Sequence, residues 1–111
     1  MNEKCLKYLA DIEKSIVLIE AFLGEKRIFQ EYSENLMLKS AVERQLEIIG
    51  EAINSVLKIE PNLVISHARN IVNMRNKLIH DYDSVNDDVV WLVIVKHLPI
   101  LKAEVSEILN Q

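Results

Sequence analysis

The sequence predicts an all-α fold, an antiparallel bundle of four to five helices, and two observations lead to it. The 111 residues include only two glycines and two prolines, which leaves few tight turns and favours long helices over a sheet. Apolar residues also recur at steps of three and four along most of the chain, the spacing of a helical stripe. The length suits one domain, residues 1–111.

The first helix is predicted over residues 3–23, just before Gly24, a residue type that commonly stops a helix. Its apolar stripe consists of Leu6, Leu9, Ile12, Ile16, Ile19 and Leu23. Residues 25–32 are predicted as a short helical turn carrying Ile28 and Phe29. Ser33 and Glu34 then offer a new helix start.

The second long helix is predicted from about residue 34 to 59, ended by Pro61, which lacks a backbone donor and disfavours helical angles in the residue before it. Gly50 in its interior costs about 1 kcal/mol relative to alanine. We therefore expect either the close approach of another helix or space reserved for a side chain such as Arg75. The residues predicted to face inward are Leu36, Val42, Leu46, Ile49, Ile53 and Val56 or Leu57.

An acidic stripe follows the same helix, with Glu43, Glu47 and Glu51 at i, i+4 spacing. Such a stripe is typical of a solvated face. Glu47 or Glu51 can also meet a cation on a neighbouring helix, so both are supporting candidates for a site.

Residues 62–66 are predicted as a linker and cap, followed by a third long helix that ends near Asp81. After a turn, Asn86 is a suitable N-cap for a last helix from Asp87 to about Leu109, which Pro99 should kink near residues 95–96. Residues 89–95 are apolar on every side, so this helix needs two partners, one of them a second subunit.

Arg75 stands out on the third helix because it lies among apolar residues. On a helical wheel, Ala68, Ile71, Val72, Leu78 and Ile79 all fall within about 60 degrees of it. A buried arginine requires a partner, since removing an unpaired charge from water costs several kcal/mol. We expect Arg75 to form a salt bridge with Glu47 or Glu51, to lie at an interface, or to face a ligand.

His80 lies about 140 degrees from Arg75 on that wheel, so one straight helix cannot aim both at one point. The two can converge if the helix end unwinds, or if two copies of the helix meet across a dimer axis. Residues 61–80 contain two arginines, one lysine and two histidines but no acidic residue. This local positive patch suits a phosphate.

Bulk composition excludes several classes of function. The net charge of −4 argues against binding nucleic acid over the whole surface. One cysteine, Cys5, excludes an intramolecular disulfide, and neither a signal peptide nor a membrane-spanning run is present, so we expect a soluble, cytoplasmic protein. The spacing of His67, His80 and His97 predicts no metal site, and the absence of a glycine-rich phosphate loop predicts no cofactor.

Three motifs resemble one protein family. Residues 75–82, Arg-Asn-Lys-Leu-Ile-His-Asp-Tyr, resemble the R-N-x-x-x-H-x-Y signature of the HepT-like toxins, a branch of the HEPN superfamily of ribonucleases. Residues 45–52 resemble the family's L-E-I-I-G-E-A helix, and Val90-Trp91 with residues 98–101 resemble its last helix. The family often has Trp and Gly ahead of the signature, where this chain has Ala68 and Asn73.

The resemblance implies a metal-independent endoribonuclease that acts as a homodimer with two copies of the signature in one cleft. His80 would transfer protons, Arg75 would bind phosphate oxygens, and Asn76 would orient the phosphate or the histidine. The resemblance also implies the toxin of a type VII-like toxin-antitoxin system, in which a MntA-like nucleotidyltransferase antitoxin adds AMP to Tyr82. Such a bulky anion would block RNA.

Two other interpretations remain open from the residues alone. The bundle can be a non-catalytic binding subunit of a nucleotidyltransferase, in which Arg75 and His80 hold a nucleotide or the interface. It can also be a structural dimerisation bundle locked by a salt bridge from Arg75 to a glutamate.

Overall fold

A computed structural model describes all 111 residues and contains helices and turns but no strand. A 3-10 turn, Tyr82–Ser84, and a π-helical segment, Val93–His97, interrupt the second half of the chain. The prediction of an all-α bundle is confirmed. The six α-helices are α1 (Glu3–Leu23), α2 (Phe29–Glu34), α3 (Leu36–Ile59), α4 (Ala68–His80), α5 (Asp87–Leu92) and α6 (Leu98–Leu109).

Helix α1 has the predicted bounds because both of its ends are fixed locally. The Asn2 side chain accepts a hydrogen bond from the Cys5 amide at 2.8 Å, which satisfies a donor that the first turn leaves free. Gly24 follows α1 with a φ of 73°, in the left-handed region that favours glycine. The predicted stripe is buried in its middle and only partly covered at its two ends.

The start of α3 differs from the prediction. Ser33 and Glu34 belong to α2, and Asn35 caps α3 by accepting a hydrogen bond from the Leu38 amide at 3.0 Å. Leu36 was predicted to face inward, but it is 76% exposed, and Leu38 is the residue of this first turn that packs against the core. The other predicted core positions of this helix, from Val42 onward, are buried or partly buried.

Contacts between side chains define how the helices run. Gly50 of α3 lies against Arg75 of α4, and Glu43 of α3 contacts Tyr82 beyond the end of α4, so α3 and α4 are antiparallel. Helices α1 and α6 are antiparallel as well, because Glu20 pairs with Lys102 at 2.8 Å while Glu13, seven residues earlier, accepts from Ser106. A single cluster of 22 buried hydrophobic residues fills the space between the helices.

The predicted last helix is helical from Asp87 to Leu109, but its α-helical pattern changes to a π-helix in the middle. The Leu98 amide donates to the carbonyl of Val93, the i to i−5 pattern of a π-helix. Pro99 stands in the first turn of α6 and cannot donate to the preceding turn. The kink predicted near residues 95–96 therefore falls inside the π-helical segment Val93–His97.

The apolar run of residues 89–95 is covered by the bundle on one side. Val90, Val93 and Ile94 are buried, while Val89 and Leu92 remain exposed. The open side, with Val89 and Leu92, is the surface on which a second subunit is predicted to pack. No helix is long and apolar enough to cross a membrane.

Candidate active site

Arg75 is seated in a notch that Gly50 creates between α3 and α4. A β-carbon added at Gly50 would overlap the β-carbon of Arg75, and it would lie 2.8 Å from the Arg75 Cγ and 3.4 Å from the Ile71 carbonyl oxygen. Gly50 therefore serves both of the purposes expected for it, the close approach of another helix and space for the Arg75 side chain. The neighbouring helix approaches closely, and it does so at the residue whose side chain takes the space.

Helix α4 is rotated relative to the predicted wheel. Its buried residues are Ile71, Met74 and Leu78, and the centre of this face lies about 70 degrees from Arg75. Arg75 therefore lies at the edge of the buried face instead of its middle, and Ile79, predicted as part of the apolar stripe, is 42% exposed. The notch at Gly50 still holds the stem of the arginine against α3, so Arg75 is partly buried at this edge.

The guanidinium of Arg75 is only partly engaged by its neighbours. Its Nη2 lies 3.5 Å from Oε2 of Glu51, and its Nη1 donates to Oδ1 of Asn76 at 2.9 Å. The Nε is buried and has no hydrogen-bond partner. Glu51 is one of the two partners that the sequence suggested, but its side chain is 68% exposed, so water screens the pair and it stabilises the fold weakly. The arginine keeps donors for a further acceptor.

His80 is the last residue of α4, and the structure leaves it exposed. It does not meet Arg75 within one chain, because α4 stays helical through His80 and keeps the two side chains about 140 degrees apart. The unwinding that could have joined them does not occur, since α4 ends only at its C-cap, Asp81. Asn76 is exposed too, and its contact is with Arg75.

Tyr82 reaches back from the 3-10 turn to a glutamate on α3. Its hydroxyl donates to both carboxylate oxygens of Glu43, at 2.8 and 3.1 Å. Burial raises the pKa of the Glu43 carboxyl, and the hydrogen bond to Glu43 is the main reason that the pKa of the Tyr82 phenol is raised. The ring of Tyr82 stays accessible, since the residue is 52% exposed.

Glu43 is the residue that sequence reasoning missed. The acidic stripe was interpreted as a solvated face, yet Glu43 is only 6% exposed. The available signal was its place seven residues before Gly50, which puts it about 20 degrees from that glycine on the face that meets α4. Glu47, the other supporting candidate, pairs with Arg44 of its own helix at 3.2 Å and makes no ion pair with α4.

A histidine pair forms at the other end of α4. The rings of His67 and His97 stack with centroids 4.1 Å apart and planes 6° from parallel. Burial, and secondarily the neighbouring His67, lower the pKa of His97, and its Nδ1 is buried without a partner. Their sequence separation hid this pairing. No group of three or more histidine, cysteine or acidic side chains is placed to hold a metal ion.

The all-α bundle and the signature that begins on α4 are features of one protein family, and comparison with known proteins identifies that family. The family model described as "Ribonuclease HepT-like" matches residues 12–108. The chain therefore belongs to the HepT-like ribonuclease family. The resemblance carried by residues 75–82 is confirmed.

Relatives of the chain carry names from the same family. It is 35% identical over 105 residues to a "Probable ribonuclease HepT" of Thermococcus cleftensis, covering 91% of this chain and 92% of that protein. It is 37% identical over 87 residues to a protein provisionally named as an RNase in Caldanaerobacter subterraneus subsp. tengcongensis, covering 75% of each chain. No solved structure matches this chain.

Proposed function

We propose that this chain is the toxin of a type VII-like toxin-antitoxin pair, a metal-independent endoribonuclease that acts as a homodimer. The family assignment supports RNA cleavage. The observation that carries the residue assignment is Arg75, whose stem is held in the Gly50 notch while its two Nη groups make only one hydrogen bond and one screened ion pair. Such an arginine is fixed in position and still able to bind phosphate oxygens.

The chemistry needs a base, an acid and a cation. A base removes the proton from the ribose 2'-hydroxyl, whose oxygen then attacks the adjacent phosphorus, and an acid protonates the leaving 5'-oxygen. The exposed imidazole of His80 serves in proton transfer. The guanidinium of Arg75 stabilises the charge that develops on the phosphorane oxygens. Asn76 orients the guanidinium by accepting a hydrogen bond from its Nη1.

Dimerisation follows from the divergence of the two side chains. On the wheel, Val72 and the exposed Ile79 lie on the side of Arg75 toward His80, at about 60 and 40 degrees from Arg75, before the polar Asn76 at about 100 degrees. Two copies of α4 that pack through this apolar strip bring the arginine of one protomer to the histidine of the other. Two-fold symmetry then yields two equivalent sites from one signature per chain.

The first experiment measures cleavage of a defined RNA in EDTA, after removal of contaminating nucleases. Because each group acts in the transition state, Arg75→Ala and His80→Ala should each lower kcat by about 100-fold or more. Arg44→Ala, an exposed arginine on α3, is the matched control and should retain activity. Circular dichroism and sedimentation should show folded dimers throughout. A wild-type protein that binds a nucleotidyltransferase but never cuts RNA would instead indicate the non-catalytic binding subunit.

Mixing the two inactive variants tests the shared cleft. In a mixed dimer, one site loses both groups and the other keeps an intact arginine and histidine. Recovery of about a quarter of the wild-type activity is expected after random exchange, since half of the dimers are mixed and each holds one intact site of two. No recovery, despite exchange verified by mass, would place both groups of a site on one chain.

Tyr82 is the proposed site of regulation by a MntA-like nucleotidyltransferase. In the reaction, Oη of Tyr82 loses its proton to solvent and attacks the α-phosphorus of ATP, the bond from that phosphorus to the oxygen bridging to the β-phosphate breaks, and pyrophosphate leaves. The product has no phenolic proton to donate to Glu43, and it sets a phosphate charge beside that carboxylate. The repulsion should expel the modified tyrosine from Glu43 and place the AMP group near His80, where it blocks RNA.

Intact-mass measurement after co-expression with a nucleotidyltransferase tests this step. Added AMP units are expected on the wild type and absent from Tyr82→Phe. Tyr8→Phe is the control and should still be modified. Modification that persists in Tyr82→Phe would exclude Tyr82 as the acceptor.

A further inference from the structure

A groove on the outer side of α4 is separate from the Gly50 notch. It is about 290 Å³ in volume and lies between α4 and the segment that contains α5. The α4 residues that line it include Arg69, Asn73 and Lys77, which follow one another at i, i+4 spacing and therefore form one stripe. This stripe lies about 120 to 200 degrees from Arg75 around the helix, so the notch and the groove occupy opposite sides of α4.

The charges of the groove are unlike those of the protein as a whole. None of its 13 lining residues is acidic, although the chain carries 17 acidic and 13 basic residues. Arg69 and Lys77 are exposed, and neither makes an ion pair or a side-chain hydrogen bond, whereas five other basic residues are paired with carboxylates. The groove therefore offers two free cations to an anionic ligand.

The wall opposite this stripe is apolar. Val89 and Leu92 of α5 are exposed there, and Val90 and Val93 close the floor. The amides of Asn70 and Asn73 lie on the α4 side, where they can both donate and accept. Cations along one edge, amides beside them and an apolar wall opposite fit a nucleic acid strand, whose phosphates, base edges and base faces need these three surfaces.

The position of the groove relative to His80 indicates the direction in which a bound strand would run. Lys77 precedes His80 by three residues and lies about 60 degrees from it on the helix, so the two are neighbours. From Arg69 to His80 the helix rises about 16 Å. Beyond His80 the chain turns acidic at Asp81 and Asp83, which repels phosphates, so a bound strand should leave His80 toward Arg69.

We propose that this groove binds the single-stranded RNA substrate next to the cleavage site, with Arg69 and Lys77 on its phosphates and Leu92 against a base. The inference rests on the proposed function for the identity of its ligand. It adds a substrate-binding surface beside the catalytic groups Arg75, Asn76 and His80, and it makes Arg69 and Lys77 determinants of affinity rather than of chemistry.

Binding is best measured by fluorescence anisotropy of a labelled single-stranded RNA with the His80→Ala chain, which separates binding from cleavage. Adding Arg69→Ala and Lys77→Ala should weaken binding at least about 10-fold and reduce the salt slope by about 1.4, since each lost phosphate contact on a single strand removes about 0.7. The control pair Lys14→Ala and Lys58→Ala removes the same charge from exposed sites on α1 and α3 and should change the affinity less than about two-fold. Leu92→Ser should weaken binding with an unchanged salt slope.

Equal losses in the groove pair and the control pair would overturn the proposal, because they would show attraction by net charge alone. A second outcome would also overturn it. If the groove variants dissociate the dimer in sedimentation but leave the RNA affinity per folded chain unchanged, the groove is a protein interface. In the His80-containing protein, the groove pair should raise KM with kcat within about two-fold. RNA binding that depends on the groove in a protein that never cleaves would reject the proposed nuclease and retain the groove.

Discussion

The two halves of the bundle are built differently. Helices α1 and α3, which we call the regular half, are 21 and 24 residues long, and an asparagine side chain caps each N-terminus. The irregular half, residues 67–109, has a 13-residue α4 whose N-cap residue, His67, has a φ of 60° and makes no side-chain cap. It also contains the 3-10 turn and the π-helical segment.

The candidate site lies along the boundary between these halves. The regular half supplies a rigid surface with a notch at Gly50 and a buried acceptor at Glu43. The irregular half supplies Arg75, His80 and Tyr82, whose side chains that surface positions or leaves exposed. This difference teaches that stability and chemistry can be perturbed separately, because buried apolar residues of α1 and α3 form much of the core, whereas Arg75, His80 and Tyr82 lie at the boundary or in solvent.

The largest expected effect on stability comes from the core of the regular half. Leu46→Ala should lower the free energy of unfolding by about 2–5 kcal/mol, because Leu46 is fully buried and its removal leaves a cavity. Leu36→Ala on the same helix is the control and should change it by about 0.5 kcal/mol or less, since Leu36 is 76% exposed. Urea denaturation measures both. Comparable losses in the two variants would show that α3 is packed differently from this description.

Gly50→Ala should disturb stability and activity together, because Gly50 lies where the halves meet. The overlap with Arg75 should cost about 1–3 kcal/mol, and the gain of about 1 kcal/mol in helix propensity offsets only part of it. RNA cleavage per folded molecule should fall as Arg75 is displaced. Asn54→Ala, an exposed substitution on the same helix, should leave both unchanged. A stable and fully active Gly50→Ala protein would argue against the notch.

The smallest effect is a pH dependence that arises in the irregular half. The pKa of His97 is lowered from its ordinary value of 6.5 by burial and by His67, so the unfolded chain takes up this proton at a higher pH than the folded chain. The stability associated with His97 is full above pH 6.5 and is lost as the pH falls toward the folded pKa. Urea denaturation at pH 7.5 and pH 5 should show this loss, and His97→Gln should reduce it. An equal reduction by His80→Gln, at an exposed site, would assign the effect elsewhere.

Features set by local chemistry were predicted well from the sequence. Three such features depend only on residues a few positions apart. They are the bounds of α1, the cap at Asn86 and the change in helical pattern just before Pro99. The start of α3 was predicted wrongly because Ser33, Glu34 and Asn35 can all begin a helix, and the choice depended on where α2 ends.

Features that depend on a second helix were predicted only in part. Glu43 was assigned to the solvated face because its spacing with Glu47 and Glu51 resembles that of a surface stripe, and only Tyr82 from beyond α4 explains its burial. His67 and His97 could not be paired from sequence, since 30 residues and a turn separate them.

The sequence by itself determined the helical class, the family and the relative directions of Arg75 and His80, because a helix fixes the angle between residues of known spacing. Only the tertiary structure decided which way α4 faces. That rotation depends on the surface α4 packs against, and here the missing side chain of Gly50 places the stem of Arg75 against α3 and leaves His80 in solvent.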